Sequence, residues 1–393
     1  MDCPGVRRAR RQIMYDVLGE INANAQNAHD FPFRMSELMK LRTSHRGTLV
    51  LVAAKRLDRD GGVASIRRMT SRRAILIGAA SLVAASRAST QQRNYRMGYL
   101  SAGAPTTAAA YSKALLSRLE ELGYRPGHNL AVERRFADSQ LDRLPELAAE
   151  LVALKPDILF AAGTQATLAM SKATRTIPIV FAAVTDPVGL GIVKSLQQPG
   201  TNATGLSNQA DEFQTKLLEL VKDAFPTADD VAVLHNPLNE AEVRLILPQL
   251  KQAGATLGLK LRMIEVRTPG EFGPVFELLK AKRPDVLYVL GNPLTFAEHQ
   301  RIVILANAQR QTAVYGFAEF AEAGGLMSYS FSLIEQHRAA GDFVNKILRG
   351  ADPAVLPVQQ PTRFELVLNL KTAREQAISF PSRVLLRANR VIE

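Results

Sequence analysis

Small polar residues recur in this chain at one kind of place, where an apolar run ends and a helical stretch begins. Gly163-Thr164-Gln165 follows the run Asp157–Ala162 and opens the helical stretch Thr164–Thr174. Glycine lets the backbone approach closely, and the free N–H groups of the first turn attract an anion such as a carboxylate. Thr164 also suits plain helix capping, and the two roles are compatible. Thr185-Asp186-Pro187 follows the run Ile177–Ala183. Asp186 either accepts a hydrogen bond from a ligand ammonium or caps the next turn, and Pro187 holds it out of the helical region. Ser101 closes the first strand-like run, Arg96–Ser101. In the second half, Asn236-Pro237 and Asn292-Pro293 repeat the pattern with an amide that offers both donor and acceptor. Asn-Pro is equally a turn signal. Phe317 and Tyr329 present flat apolar faces that suit either a ligand or the core. Ser101, Thr164, Gln165, Thr185, Asp186, Asn236, Asn292, Phe317 and Tyr329 are the candidate ligand contacts.

The same search yields no catalytic signature. No G-x-G-x-x-G follows the first strand, and no G-x-x-x-x-G-K-[ST], H-E-x-x-H or G-x-S-x-G occurs. The six histidines are scattered without ligand-like spacing, and the one cysteine, Cys3, lies far from the candidate contacts. The expectation is a protein without metal, cofactor or covalent catalysis.

The elements that must position these residues alternate. From Arg96 onward, short apolar runs bounded by Gly and Pro take turns with amphipathic stretches of ten to twenty residues. Continuous apolar strands between helices indicate parallel sheets covered on both faces. Lys155–Thr164 (KPDILFAAGT) lines up with Arg283–Asn292 (RPDVLYVLGN), and each block follows an amphipathic helix. Both read basic, Pro, Asp, apolar strand, Gly, small polar residue. Two doubly wound α/β lobes of Rossmann-like topology follow, over about 95–206 and 207–324. The chain continues past the second lobe with a helix over 333–348 and a strand over 364–369. It therefore crosses back: about 325–350 is assigned to the first lobe, and about 351–393 to the second lobe and a multi-crossover hinge. Ligands of open α/β sheets sit beyond the carboxyl ends of the strands, so the two lobes enclose a cleft.

The formal charge of +12 resides mainly in the leader. Residues 1–93 carry 17 basic and 7 acidic side chains, against 32 and 30 in the remaining 300. The folded body lacks the basic excess that phosphate neutralisation requires, and nucleic acid is not an expected partner. Arg72-Arg73, the apolar run Ala74–Ala85 and the small residues around Ala88 have the order of an export signal, and the paired arginines match the twin-arginine route. Residues 69–88 read as this signal, with cleavage near Ala88. The 68 residues before Met69 read as a start-site artefact or a disordered basic extension.

Longer blocks carry a resemblance. Thr176–Phe181 (TIPIVF), Asp186–Gly191 (DPVGLG) and Pro199–Gly205 (PGTNATG) are followed in order by Gly324–Tyr329 (GGLMSY) and Lys346–Pro353 (KILRGADP). Leu356–Leu366 (LPVQQPTRFEL) and Asn369–Ala373 (NLKTA) close the series. Together the chain resembles a family of ABC transporter substrate-binding proteins whose members include binders of aromatic amino acids, over about residues 96–393. The resemblance implies a periplasmic binding protein-like fold, a small-molecule solute held in the inter-lobe cleft by hinge closure, and delivery to a membrane permease. It implies a monomer and no enzymatic activity. An amino acid or small carboxylate suits the helix terminus and Asp186 best. A two-lobed enzyme such as a sugar-nucleotide transferase, and a periplasmic sensor module, are the alternative readings.

Overall fold

A computed structural model describes residues 40–43, 49–53, 93–208 and 210–393. The chain divides into two units, Met1–Thr90 and Gln91–Glu393. In the first, β1 (Lys40–Thr43) pairs antiparallel with β2 (Leu49–Ala53). The export-type segment 69–88 and the remainder of 1–68 lie outside the described residues.

The second unit contains two sheets. In the first sheet, β3 (Tyr95–Ser101), β4 (Leu130–Phe136), β5 (Ile158–Ala162), β6 (Ile179–Thr185) and β7 (Ala203–Asn208) lie in the order β4-β3-β5-β6-β7, all parallel. The order reverses between β4 and β5, so β3 and β5 flank a topological switch point. The intervening helices are α1 (Pro105–Glu121), α2 (Leu144–Ala153) and α3 (Thr164–Ala173). Alternation along β3 shows how the strand fills both layers. Met97 and Tyr99 enter one core with Leu115 and Phe160, and Leu100 enters the other with Leu151 and Phe181.

The second sheet repeats this plan. Its strands β8 (Asp230–His235), β9 (Lys260–Glu265), β10 (Val286–Val289), β11 (Ala313–Tyr315) and β12 (Met327–Ser330) follow the order β9-β8-β10-β11-β12, and β13 (Glu365–Asn369) and β14 (Arg390–Ile392) extend it. β13 is antiparallel to β12 and the other pairings are parallel. The duplicated blocks of the sequence become β5 and β10, each the third strand of its sheet beside the switch point. Helices α4 (Ala210–Ala224), α5 (Leu247–Thr256), α6 (Phe272–Ala281), α7 (Pro293–Ala297), α8 (His299–Ala308) and α9 (Ala318–Glu322) accompany these strands, with α11 (Leu370–Glu375) and α12 (Ser382–Leu385) near the C-terminus. This is the expected two-lobed α/β architecture.

Among the described residues, the elements on either side place passages between the lobes after Asn208, near residue 332 and near residue 361. Between the last two crossings lies α10 (Leu333–Leu348), which packs on α1 and the first sheet and carries Phe343 and Val344 into its core. Arg118 on α1 pairs with Asp342 on α10 at 2.7 Å. The C-terminal assignment from the sequence needs correction at two segments. β12 hydrogen-bonds into the second sheet, not the first lobe. Residues 351–360 belong to the first lobe, where Gln359 N–H donates to Gly205 O and Ser207 N–H donates to Gln359 O. The proline-rich stretch serves as a backbone partner for β7, and its composition alone reads as linker.

Candidate functional site

The carboxyl ends of β3 and β5 in the first lobe face those of β8 and β10 in the second, and a cavity of about 160 Å³ lies between them. Ser101, Thr164, Gln165, Thr185, Asn292 and Phe317, all sequence candidates, line it. Each sits at or just beyond a strand end, for the reason read from the sequence. Ser101 Oγ accepts from Gly103 N–H at 3.2 Å. Thr164 Oγ1 accepts from Thr185 N–H at 2.9 Å, tying the ends of β5 and β6 together. Gly163, at φ 86°, makes the sharp entry to α3. Asn292 caps α7, its Oδ1 accepting from the N–H groups of Leu294 and Thr295. Phe317 packs against Phe296 with ring centres 5.0 Å apart.

Asp186, Asn236 and Tyr329 are not brought to the cavity. Asp186 Oδ1 accepts from Gly189 N–H at 2.8 Å, so its carboxylate holds the turn after β6. Asn236 Oδ1 accepts from Leu238 N–H at 3.0 Å, an Asx turn. Tyr329 stacks on Phe364 at 5.8 Å. Of the two roles open to Asp186 in the sequence, the structure shows the turn-forming one.

The lining residues that were not among the sequence candidates include Tyr99, Tyr111, Asn208, Asn239, Glu242 and His337. Glu242 is 1% exposed. Its Oε2 accepts from Asn236 N–H at 2.9 Å, and its Oε1 accepts from the Nδ2 groups of Asn292 at 2.7 Å and Asn239 at 3.3 Å. Burial pushes its pKa up to about 7 against the pull of these three donors, and no basic side chain shares in holding it. The turn carrying it, Glu242–Ile246, is a π-helical one in which Leu247 N–H reaches back to Glu242 O. Pro248 follows, with no N–H to return to Arg244 O, and this is an ordinary cause of such a widening. In sequence, Glu242 looks like any charged residue of an amphipathic helix. Its burial is a tertiary fact with no local signal.

On the first-lobe side, His337 Nδ1 lies 2.8 Å from Leu333 O, so it carries the proton and Nε2 is an acceptor. Burial lowers its pKa to about 4. Tyr99 Oη, Asn208 Oδ1 and His337 Nε2 are buried and have no hydrogen-bond partner among the described residues. Buried polar atoms without partners are uncommon, and three occur on the wall of one cavity. Tyr111 covers His337, with ring centres 5.3 Å apart.

The lobes touch each other directly around this cavity. Tyr111 Oη donates to Glu319 Oε1 at 2.8 Å, Ser139 Oγ donates to Pro293 O at 3.1 Å, and Gln165 Nε2 donates to Asn239 Oδ1. Burial and the neighbouring carboxylate hold the Tyr111 hydroxyl well above its usual pKa, and burial raises that of Glu319. Both therefore stay neutral more readily than in water, which suits a hydrogen bond away from solvent.

One lining contact leaves no room for a larger residue. A Cβ on Gly291 would stand 2.3 Å from Cδ2 and Cε2 of Phe317. Gly291→Ala is expected to destabilise the protein by about 1–3 kcal/mol through overpacking. Gly291→Ala combined with Phe317→Leu should recover part of this in urea denaturation, and strictly additive losses would refute the contact. Among the described residues, no group of three or more His, Cys, Asp or Glu could hold a metal ion. No helix among them is long and apolar enough to cross a membrane.

Comparison with known proteins agrees with this geometry. Residues 106–392 match the family described as ABC transporter substrate binding protein. A "Tyrosine-binding protein" from Clostridioides difficile is 27% identical over 262 residues, covering 67% of this chain and 75% of that protein. The crystal structure of a conserved domain protein from Vibrio cholerae superposes with a TM-score of 0.71 at 29% identity, over 76% of this chain and 100% of that one. A Streptococcus pneumonia ABC domain in complex with L-Trp gives 0.69 at 24% identity, over 76% and 100%. A ligand-free, open substrate-binding protein with adhesive properties from Clostridium difficile gives 0.55 at 25% identity, over 76% and 99%.

Proposed function

The chain belongs to the ABC transporter substrate-binding protein family, and from that premise we propose that it captures an amino acid with a ring-bearing side chain in the inter-lobe cavity. The observation that carries this reading is the cavity itself. A void of about 150 Å³ accommodates a benzene ring, and this one measures about 160 Å³. Phe317 and Tyr111 supply flat apolar surface, while Gly163–Gln165 at the start of α3 offers N–H groups and a favourable dipole to a carboxylate. The unpartnered atoms of Tyr99, Asn208 and His337 provide hydrogen-bonding capacity for the polar groups of such a ligand. The tyrosine-binding relative and the better superposition on a tryptophan complex than on an open, ligand-free structure support the same class and a closed state.

The protein works by hinge closure at the three crossings, acts as a monomer after export to the periplasm, and presents its closed form to a membrane permease. Ser101, Thr164, Gln165, Thr185, Asn292 and Phe317 are its contacts from the sequence set. Micromolar affinity, about −8 kcal/mol, suffices for capture and release. Thermal unfolding against amino acids, sugars, small carboxylates and nucleotides tests the reading. At 100 times Kd the cognate ligand adds about 2.7 kcal/mol, a rise of about 5 °C for a chain of this size. A shift with tyrosine, tryptophan or phenylalanine is expected. A shift with nucleotide sugars alone would move the assignment to a transferase.

A further inference from the structure

We infer that Glu242 is the counter-ion for the cationic amine of the bound solute, so that the site selects ligands by their ammonium group and not only by ring and carboxylate. This rests on the proposed function and names the group that decides among its candidate ligands.

Three observations converge on Glu242. Its carboxylate lines the cavity and is shut away from water, yet it is held only by neutral donors: one backbone N–H and two amide groups. A buried carboxylate without a cation is expensive to ionise, and an ammonium beside it relieves that penalty. Its donors are themselves fixed. Asn292 is locked by its capping of α7, and Asn239 Oδ1 receives Gln165 from the opposite lobe. The carboxylate is therefore orientated before any ligand arrives, and its support is completed when the lobes meet. The π-helical turn places it there by a local departure from regular helix, a feature frequent at functional sites.

Among the described residues that line the cavity there is no Lys or Arg to compete. Tyr288 on β10 is the titratable neighbour beneath Glu242, and Tyr99, Tyr111 and His337 line the opposite wall of the cavity. All are neutral near pH 7, the tyrosines because burial holds their hydroxyls protonated and His337 because burial strips its proton. Asp186, which the sequence offers for this role, is engaged in its own turn. Glu242 is the carboxylate among the cavity-lining residues.

The test compares L-tyrosine with 3-(4-hydroxyphenyl)propionate, which keeps ring, hydroxyl and carboxylate and lacks the amine. Calorimetric titration of wild-type protein should show tyrosine binding about thirtyfold or more tightly than the desamino acid. Glu242→Gln should abolish that preference by weakening tyrosine alone. Equal weakening of both ligands would make Glu242 a positioning residue and overturn the inference, as would no change. Wild-type protein that binds both ligands equally overturns the inference and leaves the proposed function standing. Wild-type protein that binds no aromatic amino acid or desamino analogue overturns both. Should Glu242→Gln not fold, the wild type still decides. With its pKa raised by burial to about 7, Glu242 is partly protonated at pH 7, and an arriving ammonium expels that share of a proton. Titration at pH 7 in two buffers of different ionisation enthalpy should reveal proton release on tyrosine binding that shrinks as pH is raised above 7. Absence of release would refute the pairing.

Discussion

Gly205→Ala is expected to cost about 4 kcal/mol or more, enough to deplete the folded state. Gly205 lies in β7 with φ 151°, and a Cβ there would stand 2.0 Å from Phe181 O and 2.7 Å from Phe181 N. Both are backbone atoms of the neighbouring strand, so no side chain can swing aside. The surrounding backbone is already committed elsewhere. The β6–β7 register shifts between Phe181 and Val184, and Ala183 within that bulge has φ 57°. Gln336 on α10 fills the gap, its Oε1 accepting from Ala183 N–H at 2.9 Å and its Nε2 donating to Ser207 O at 3.1 Å. On the other side, Gln359 N–H donates to Gly205 O at 2.9 Å. Strand, bulge, α10 and the returning C-terminal segment thus meet at one glycine. Gly123→Ala supplies the control, because Gly123 has φ 93° but nothing within 4 Å of its Cβ position. It should lose only the left-handed penalty, about 1–2 kcal/mol. Urea midpoints close to each other for the two variants would sink the argument.

The bulge at Ala183 also explains how much of the site was legible in sequence. Thr164, Gln165 and Asn292 could be read because a helix start beyond an apolar strand dictates where a side chain goes. The repeat of KPDILFAAGT in RPDVLYVLGN marked two similar lobes and a matching strand end in each, since β5 and β10 are buried on both faces and show it in composition. β7 (ATGLSN) and β12 (MSYS) carry no strand signal of their own, because small and polar residues fill them. Each owes its conformation to a neighbouring strand and not to its own propensity. Asp186 was open to two roles in sequence, ligand contact and turn capping, and its carboxylate accepts from Gly189 N–H within its own turn. Glu242 and His337 were missed for the opposite reason. Both sit on amphipathic stretches where a polar residue normally faces water, and residues distant in sequence enclose them.

That enclosure gives the two residues opposite and measurable pH signatures. Glu242, with its pKa raised from 4.5 to about 7, holds a proton in the folded state through a range where the unfolded chain has lost it. Its stabilising contribution is fully present below pH 4.5 and is lost as pH rises through 7. His337, with its pKa lowered from 6.5 to about 4, stays neutral while the unfolded chain takes up a proton. Its contribution is present above pH 6.5 and is lost as pH falls through 4. Each group alone changes stability by about 1.4 kcal/mol per pH unit inside its window. Between pH 4.5 and 6.5 the windows overlap and the two slopes oppose each other. Glu242→Gln removes one slope and should expose the other. Relative to wild type, the variant is expected to lose about 2 kcal/mol of unfolding free energy as pH falls from 6.5 to 4.5. His337→Gln should show the mirror image, gaining on wild type over the same range. The measurement is urea denaturation of the ligand-free protein at pH 4.5, 5.5, 6.5 and 7.5, read as differences between variant and wild type so that every other titrating group cancels. A flat difference for Glu242→Gln would mean that the carboxylate titrates in the ligand-free protein as it does in water, and its burial beneath the strand ends would have to be abandoned for that state.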